Sequence, residues 1–157
     1  MKVTMSVDGL RELDAALGQL PRAAARGVLR RVGIRALQPM AEAARQMAPD
    51  DPETQGNDLK ASITVGTRLN KRQARLARRE ARKHGKSFVE VYMGTNDPAG
   101  VQQEFGNAHH GPQSFMRPAF QSHARGAIDI VAKDLGGEID RTVARAAKRA
   151  AKKARAG

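Results

Sequence analysis

Apolar residues recur at every second position at the start of the chain, then at every third or fourth for most of its length. Val3, Met5 and Val7 alternate with Lys2, Thr4 and Ser6, the period of a half-buried strand. Leu10, Leu13, Leu17 and Leu20 then fall on one face of a helix that Asp8 can cap and that Gly18 and Pro21 end. Pro21 suits an early position in the next helix. There Ala25, Leu29, Val32, Ala36, Met40, Ala43 and Met47 form the longest apolar stripe of the sequence, with Arg22, Arg26 and Arg30 on a separate, solvated face. Pro39 lies inside that stripe and withholds an amide from the Arg35 carbonyl, which predicts a kink or a break into two helices. Pro49 and Pro52, flanking Asp50 and Asp51, end it, and 49–57 reads as a polar loop.

The period then shortens. Ile63, Val65 and Leu69 share one side of a candidate strand over 63–69. In a second, over 88–93, Val89, Val91 and Met93 oppose Phe88, Glu90 and Tyr92. Between them, 71–86 is rich in Ala, Arg, Leu and Gln, which favour helix, with Gly85 as its C-terminal cap. Its apolar residues are Leu76 and alanines, too few for a buried face, so it reads as a projecting helical arm. Asp97 and Pro98 open a short helix through Phe105, closed by Gly106, and 107–114 is a loop. A last helix starts near Pro118 and is expected to bury Phe120, Ala124, Ile128, Val131, Leu135 and Ile139, with bending at Gly136-Gly137. Beyond Val143 only alanines alternate with basic residues, and that end is expected to fray.

These elements predict an α+β domain: a small, mostly antiparallel sheet of three or more strands, packed with a long kinked N-terminal helix and a long C-terminal helix. The domain covers 1–143, with the basic arm at 71–86, and a basic alanine-rich tail follows at 144–157. A chain of 157 residues suits one such domain. Aromatics are only 3% of residues against 40% hydrophobic in all, so the core is expected to be closely packed helices lined by Ala, Leu, Val and Met. Cys is absent, which excludes disulfides and thiolate metal sites. No signal-peptide core and no run near the ~20 apolar residues of a membrane span is present, so the chain reads as soluble and made in a cytoplasm.

Charge adds a second layer. The net +12 is concentrated in two segments. Lys71, Arg72, Arg75, Arg78, Arg79, Arg82, Lys83 and Lys86 face one acid, Glu80. Arg141, Arg145, Lys148, Arg149, Lys152, Lys153 and Arg155 face none. The rest of the chain is slightly acidic. Such asymmetry points to an anionic partner, nucleic acid or an acidic protein ring, against the plainer alternative of solvated, solubilising segments. Neither segment interleaves aromatics, so neither is built to stack exposed bases.

Candidate chemistry is sparse. His109-His110 beside Glu104 lacks the spacing of a metal site, and His84 and His123 are isolated. No nucleophile elbow, phosphate loop or dinucleotide fingerprint is present. Asp50, Asp51 and Asp97 sit near prolines, where capping accounts for them. The reading is of a protein that is not an enzyme and needs no cofactor.

The densest information lies in Glu104-Phe105-Gly106 and Phe115-Met116-Arg117-Pro118-Ala119-Phe120. Phe105 is expected to plug the core and Gly106 to permit a left-handed turn. Glu104 is expected to pair with an arginine, either Arg117 or one on a neighbouring subunit. Pro118 fixes a first helical turn, bracketed by Phe115 and Phe120 as by a hydrophobic staple. Arg117 can clamp a carboxylate bidentately, within or between subunits.

In that order these motifs resemble the neck, or tail-completion, proteins of long-tailed bacteriophages and prophages, the minor-tail family typified by lambda's Z protein. A third stretch, Gly56 to Ile63 after Ala48-Pro49, is similar to that family's Gly-x-Leu-basic-x-Ser-Ile pattern through Leu59, Ser62 and Ile63. It carries one residue inserted between Gly56 and Leu59, and Asn107 stands where Thr is common. The resemblance spans most of residues 3 to 140. It implies a non-enzymatic virion protein, assembled in the host cytoplasm, that completes the tail and joins it to the head. Implied partners are head-closure, tail-terminator or tail-tube proteins, other copies in a ring (a hexamer), and genomic DNA contacted non-specifically, with no membrane. The Glu104–Phe120 stretch is the expected subunit contact. Two alternatives stand beside it: a tail terminator, and a small basic protein binding DNA regardless of sequence.

Overall fold

The computed structural model describes residues 10–49, 58–69, 71, 74, 75, 78 and 88–156. In chain order these form α1 (Leu10–Gly18), α2 (Arg22–Met47), α3 (Asp58–Ser62), β1 (Thr64–Gly66), β2 (Tyr92–Gly94), α4 (Ala99–Phe105) and α5 (Met116–Ala156). Most described residues are helical, and the framework is the antiparallel pair α2 and α5.

Two apolar clusters hold that pair together. At one end Met40, Ala41 and Ala44 of α2 meet Ile63, Phe115 and Ala119, with Leu59, Val65 and Met93 packed around them. At the other end Ala25, Val28 and Val32 meet Leu135 and Ile139 of α5, covered by Leu13 and Leu17 of α1. Small residues at the crossing let the helix backbones approach, the packing expected of a core poor in aromatics.

Pro39 does not divide α2, which runs unbroken from Arg22 to Met47. An interior proline costs roughly 3 kcal/mol. Fully burying Val28, Val32 and Met40 returns about 1.5–3 kcal/mol each, so tertiary packing outweighs the lost bond. The predicted apolar stripe is mostly the buried one, but Leu29 is half-buried and Met47 exposed, while Val28 and Ala44 are buried instead.

The described part of the sheet is small. Among the described residues it has two antiparallel strands, with Thr64 opposite Gly94, Val65 opposite Met93 and Gly66 opposite Tyr92. The candidate strand Val3–Val7 lies outside the described residues. The other two strands are shorter than their alternating patterns. Continued pairing would set Thr67 to Leu69 against Val91 to Val89. Thr67, Leu69, Phe88 and Tyr92 instead line a groove of about 640 Å³ together with residues of α2. Gly33 lets α2 sit against this wall, since a Cβ there would fall 2.7 Å from Val91 Cγ2.

α5 spans 41 residues, about 60 Å at 1.5 Å per residue. It passes through Gly136-Gly137 without interruption and continues to Ala156, so the tail from residue 144 is part of the same helix.

Candidate assembly surface at the Glu104 corner

The three motifs singled out in the sequence converge at one end of α2. Leu59 and Ile63 pack in the same cluster as Phe115 and Ala119. The Ile63 carbonyl accepts two bonds from Arg45, at 3.2 Å from Nε and 2.8 Å from Nη2. Ser62 donates to the Leu59 carbonyl at 2.7 Å and its hydroxyl also pairs with that of Thr95. Thr95 in turn accepts from the Asp97 amide, and Asp97 Oδ1 accepts from Ala99 at 2.9 Å, which opens α4. Leu59 touches α4 at Gly100.

α4 exists to aim Glu104. This carboxylate is buried, and it accepts the amides of Phe115 and Met116 on Oε2, each at 2.9 Å, and that of Arg117 on Oε1 at 3.1 Å. The first turn of a helix leaves its amides without intrahelical partners. Pro118, next in line, has no amide to satisfy, and the Ala119 amide already reaches the Phe115 carbonyl. The three amides that open α5, those of Phe115, Met116 and Arg117, are thus held by one side chain from a different helix. A carboxylate there also faces the positive end of the helix dipole.

The loop between them is closed on itself. The Gln113 amide donates to the Gln103 carbonyl at 2.7 Å, and Ser114 Oγ donates to the Glu104 carbonyl at 2.9 Å. Gly106 adopts φ +78°, and a Cβ there would meet Pro112 N at 2.9 Å and His110 O at 3.0 Å, so glycine is required. Asn107 accepts the His109 and His110 amides on Oδ1 and pairs through Nδ2 with His110 Nε2, while His110 Nδ1 lies 2.9 Å from the Gly111 carbonyl. With Nδ1–H donating to that carbonyl, both ring nitrogens of His110 are occupied. Among the described residues no three His, Asp or Glu side chains are grouped to hold a metal ion. Nor is any helix there long and apolar enough to cross a membrane.

Three expectations for this stretch need correcting. Phe105 does not plug the core: it is 66% exposed, because Glu104 points inward and the next residue is turned about 100° away. Phe120 is 52% exposed for the same reason, Ala119 holding the inward position, so Phe115 alone of the three rings is buried. Arg117 does pair with Glu104, but loosely and not as a bidentate clamp: its Nε stands 4.0 Å from Oε1, since backbone amides already fill the carboxylate. The guanidinium also lies over the Phe105 ring, 5.9 Å from its centroid. Val101, one turn before Phe105, is also exposed. The corner therefore leaves Val101, Phe105 and Phe120 exposed, with the Arg117 guanidinium over the Phe105 ring.

The basic segments are placed differently. Lys71, Arg75 and Arg78 have helical backbone and are exposed, and Arg78 lines the groove together with Arg26 and Arg30. Arg72, Arg79, Arg82, Lys83 and Lys86 lie outside the described residues. Arg145, Lys148, Arg149, Lys152, Lys153 and Arg155 are all exposed on α5.

One site escaped the sequence reading. Glu138 is buried against α2, where Arg31 Nε reaches it at 2.7 Å, Arg35 at 3.5 Å, and Arg141 and Arg145 at 3.6 Å each. Burial pushes its carboxyl up, but the Arg31 hydrogen bond and the charges of Arg31, Arg141 and Arg145 outweigh it and hold it below the usual range. The available signal was an acid three residues from Leu135 and next to Ile139, at core spacing. Compared with family models, with curated proteins and with solved structures, the chain finds no match.

Proposed function

We propose that this chain is a non-enzymatic structural subunit of a tailed-phage neck, which completes the tail and joins it to the head as one member of a ring. The observation that carries the reading is the exposure of Val101, Phe105 and Phe120 on a corner fixed by Glu104. Large apolar side chains exposed on a stiff frame, with an arginine over one of the rings, have the composition of an interface core. A ring closes when this surface fits a different one on the next copy. Head-closure, tail-terminator or tail-tube proteins are the proposed neighbours along the axis, and the virion is the proposed location.

Mass measurement of the purified protein at micromolar concentration, alone and with tail tubes, tests the ring; a strict monomer in both settings ends it. Phe105→Ala with Phe120→Ala is expected to abolish assembly and head–tail joining while leaving the fold intact. Unimpaired joining by that double variant removes these side chains from the function.

A further inference from the structure

We infer that the last third of α5 is a binding element for the phosphate backbone of duplex DNA, held without regard to sequence. From Arg141 to Arg155 the helix carries seven cations and no acid. At about 100° per residue these seven fall within an arc of roughly 160°. Val143, Ala147, Ala150, Ala151 and Ala154 occupy the opposite side. Every residue from Val143 to Arg155 is exposed, so no other described element covers this face. Seven charges over ~21 Å of helix give one cation per about 3 Å, close to the ~3.4 Å phosphate repeat of one DNA strand.

The stripe continues onto the body. Glu138 gathers Arg31 and Arg35 of α2 beside Arg141 and Arg145 of α5, and Asp134 takes Arg35 Nε at 3.2 Å. Four guanidinium groups against two carboxylates leave an excess of positive charge. Each guanidinium-bearing side chain is still about half exposed, between 44% and 58%. Their orientation is set before any ligand arrives, which lowers the ordering cost of binding.

The chemistry of the helix selects among anionic partners. A bilayer-seeking helix sets Trp, Phe or Leu opposite its cations; here that side is alanine and one valine. Protein interfaces are anchored by Trp, Tyr and Arg seated in desolvated pockets; this segment has no aromatic, and its arginines stand exposed among lysines and alanines. Single strands are held by stacking on aromatics, also lacking. Duplex backbone needs only cations at close spacing, and the B-DNA major groove is wide enough to admit a helix. No Asn or Gln lies between Arg141 and Arg155 to pair with adenine edges.

The inference rests on charge placement and not on the neck reading, so either can fail alone. The test is fluorescence anisotropy of the full chain with a labelled duplex of arbitrary sequence, repeated over a salt series. With about six phosphate contacts, affinity is expected to fall on the order of 10³-fold between roughly 50 and 200 mM salt. The variant Lys148→Gln/Arg149→Gln/Lys152→Gln/Lys153→Gln is expected to reduce the log–log salt slope by about 3.6, near 0.9 per contact. A control of equal net charge, Arg11→Gln/Arg26→Gln/Arg68→Gln/Lys133→Gln, alters exposed cations elsewhere and is expected to leave the slope within about one contact of the parent. Equal losses in both variants reduce the effect to net charge and overturn the inference. Polyglutamate, single-stranded DNA or anionic vesicles binding as tightly as the duplex at matched salt also overturn it. Circular dichroism of both variants establishes that they remain folded.

Discussion

The Glu104 carboxylate meets the Phe115 amide at 2.9 Å across a sequence separation of eleven residues. Helix caps are ordinarily local, supplied by the residue at the helix start itself. Here the cap comes from a second helix, so the start of α5 and the end of α4 form one structural unit.

Removing that carboxylate exposes the dependence. Glu104→Ala leaves three amides without an acceptor in a buried setting and is expected to cost about 2–4 kcal/mol. Glu104→Gln keeps one carbonyl oxygen and is expected to fall between. Thermal denaturation checks this, with roughly 2–4 °C lost per kcal/mol for a chain of this size.

The three phenylalanines of the corner separate by burial. Phe115→Ala is expected to cost about 3–5 kcal/mol through lost packing and the cavity left behind. Phe105→Ala and Phe120→Ala, on exposed rings, are expected to stay within about 0.5 kcal/mol of the parent. Urea titration of the three variants measures the contrast.

Gly106→Ala is expected to destabilise by about 1–3 kcal/mol, since its positive φ disfavours any side chain. The clash with Pro112 N and His110 O adds to that. Heating curves beside Gly111→Ala, where no neighbour stands in the way, isolate the effect.

At the far end of the helix pair, acid is the relevant variable. Glu138 is held below its ordinary value in the fold, so the unfolded chain takes up the proton first as pH falls. Its stabilising contribution is complete above the ordinary glutamate range and fades as pH drops through the lowered folded value. Glu138→Gln is expected to cost about 2 kcal/mol at neutral pH and to flatten the acid limb of a stability–pH profile.

Tyr92 governs the alkaline side. Its hydroxyl donates to Glu90 at 2.6 Å, and burial, that bond and the nearby charge push its pKa up to about 12. The folded state keeps a proton that the unfolded state gives up near 10, so stability declines as pH rises between the two. Ultraviolet titration of tyrosinate, the chain having one tyrosine, follows it directly. Tyr92→Phe is expected to abolish that decline.

The helices were legible because their apolar spacing is local. Leu13 and Leu17, or Val32, Ala36 and Met40, declare a face by their own positions. The corner was legible only in part. Phe105 and Phe115 look equally suited to a core, and which one enters depends on Glu104 reaching amides that lie beyond a loop. Glu138 was hidden for a related reason: its arginines come from both α2 and α5, and no window of sequence contains them together. The two described strands were drawn too long because alternation reports which side a residue faces, while a ladder also needs the partner strand in register beside it.

Because α5 is one uninterrupted coil from Met116 to Ala156, it acts as a screw whose two ends are locked in phase. One extra alanine after Arg145 turns everything downstream by about 100° and advances it by only ~1.5 Å. The charge count stays the same, yet the distal lysines swing out of line with the arginines gathered at Glu138. Direction, and not content, is what that single inserted residue changes.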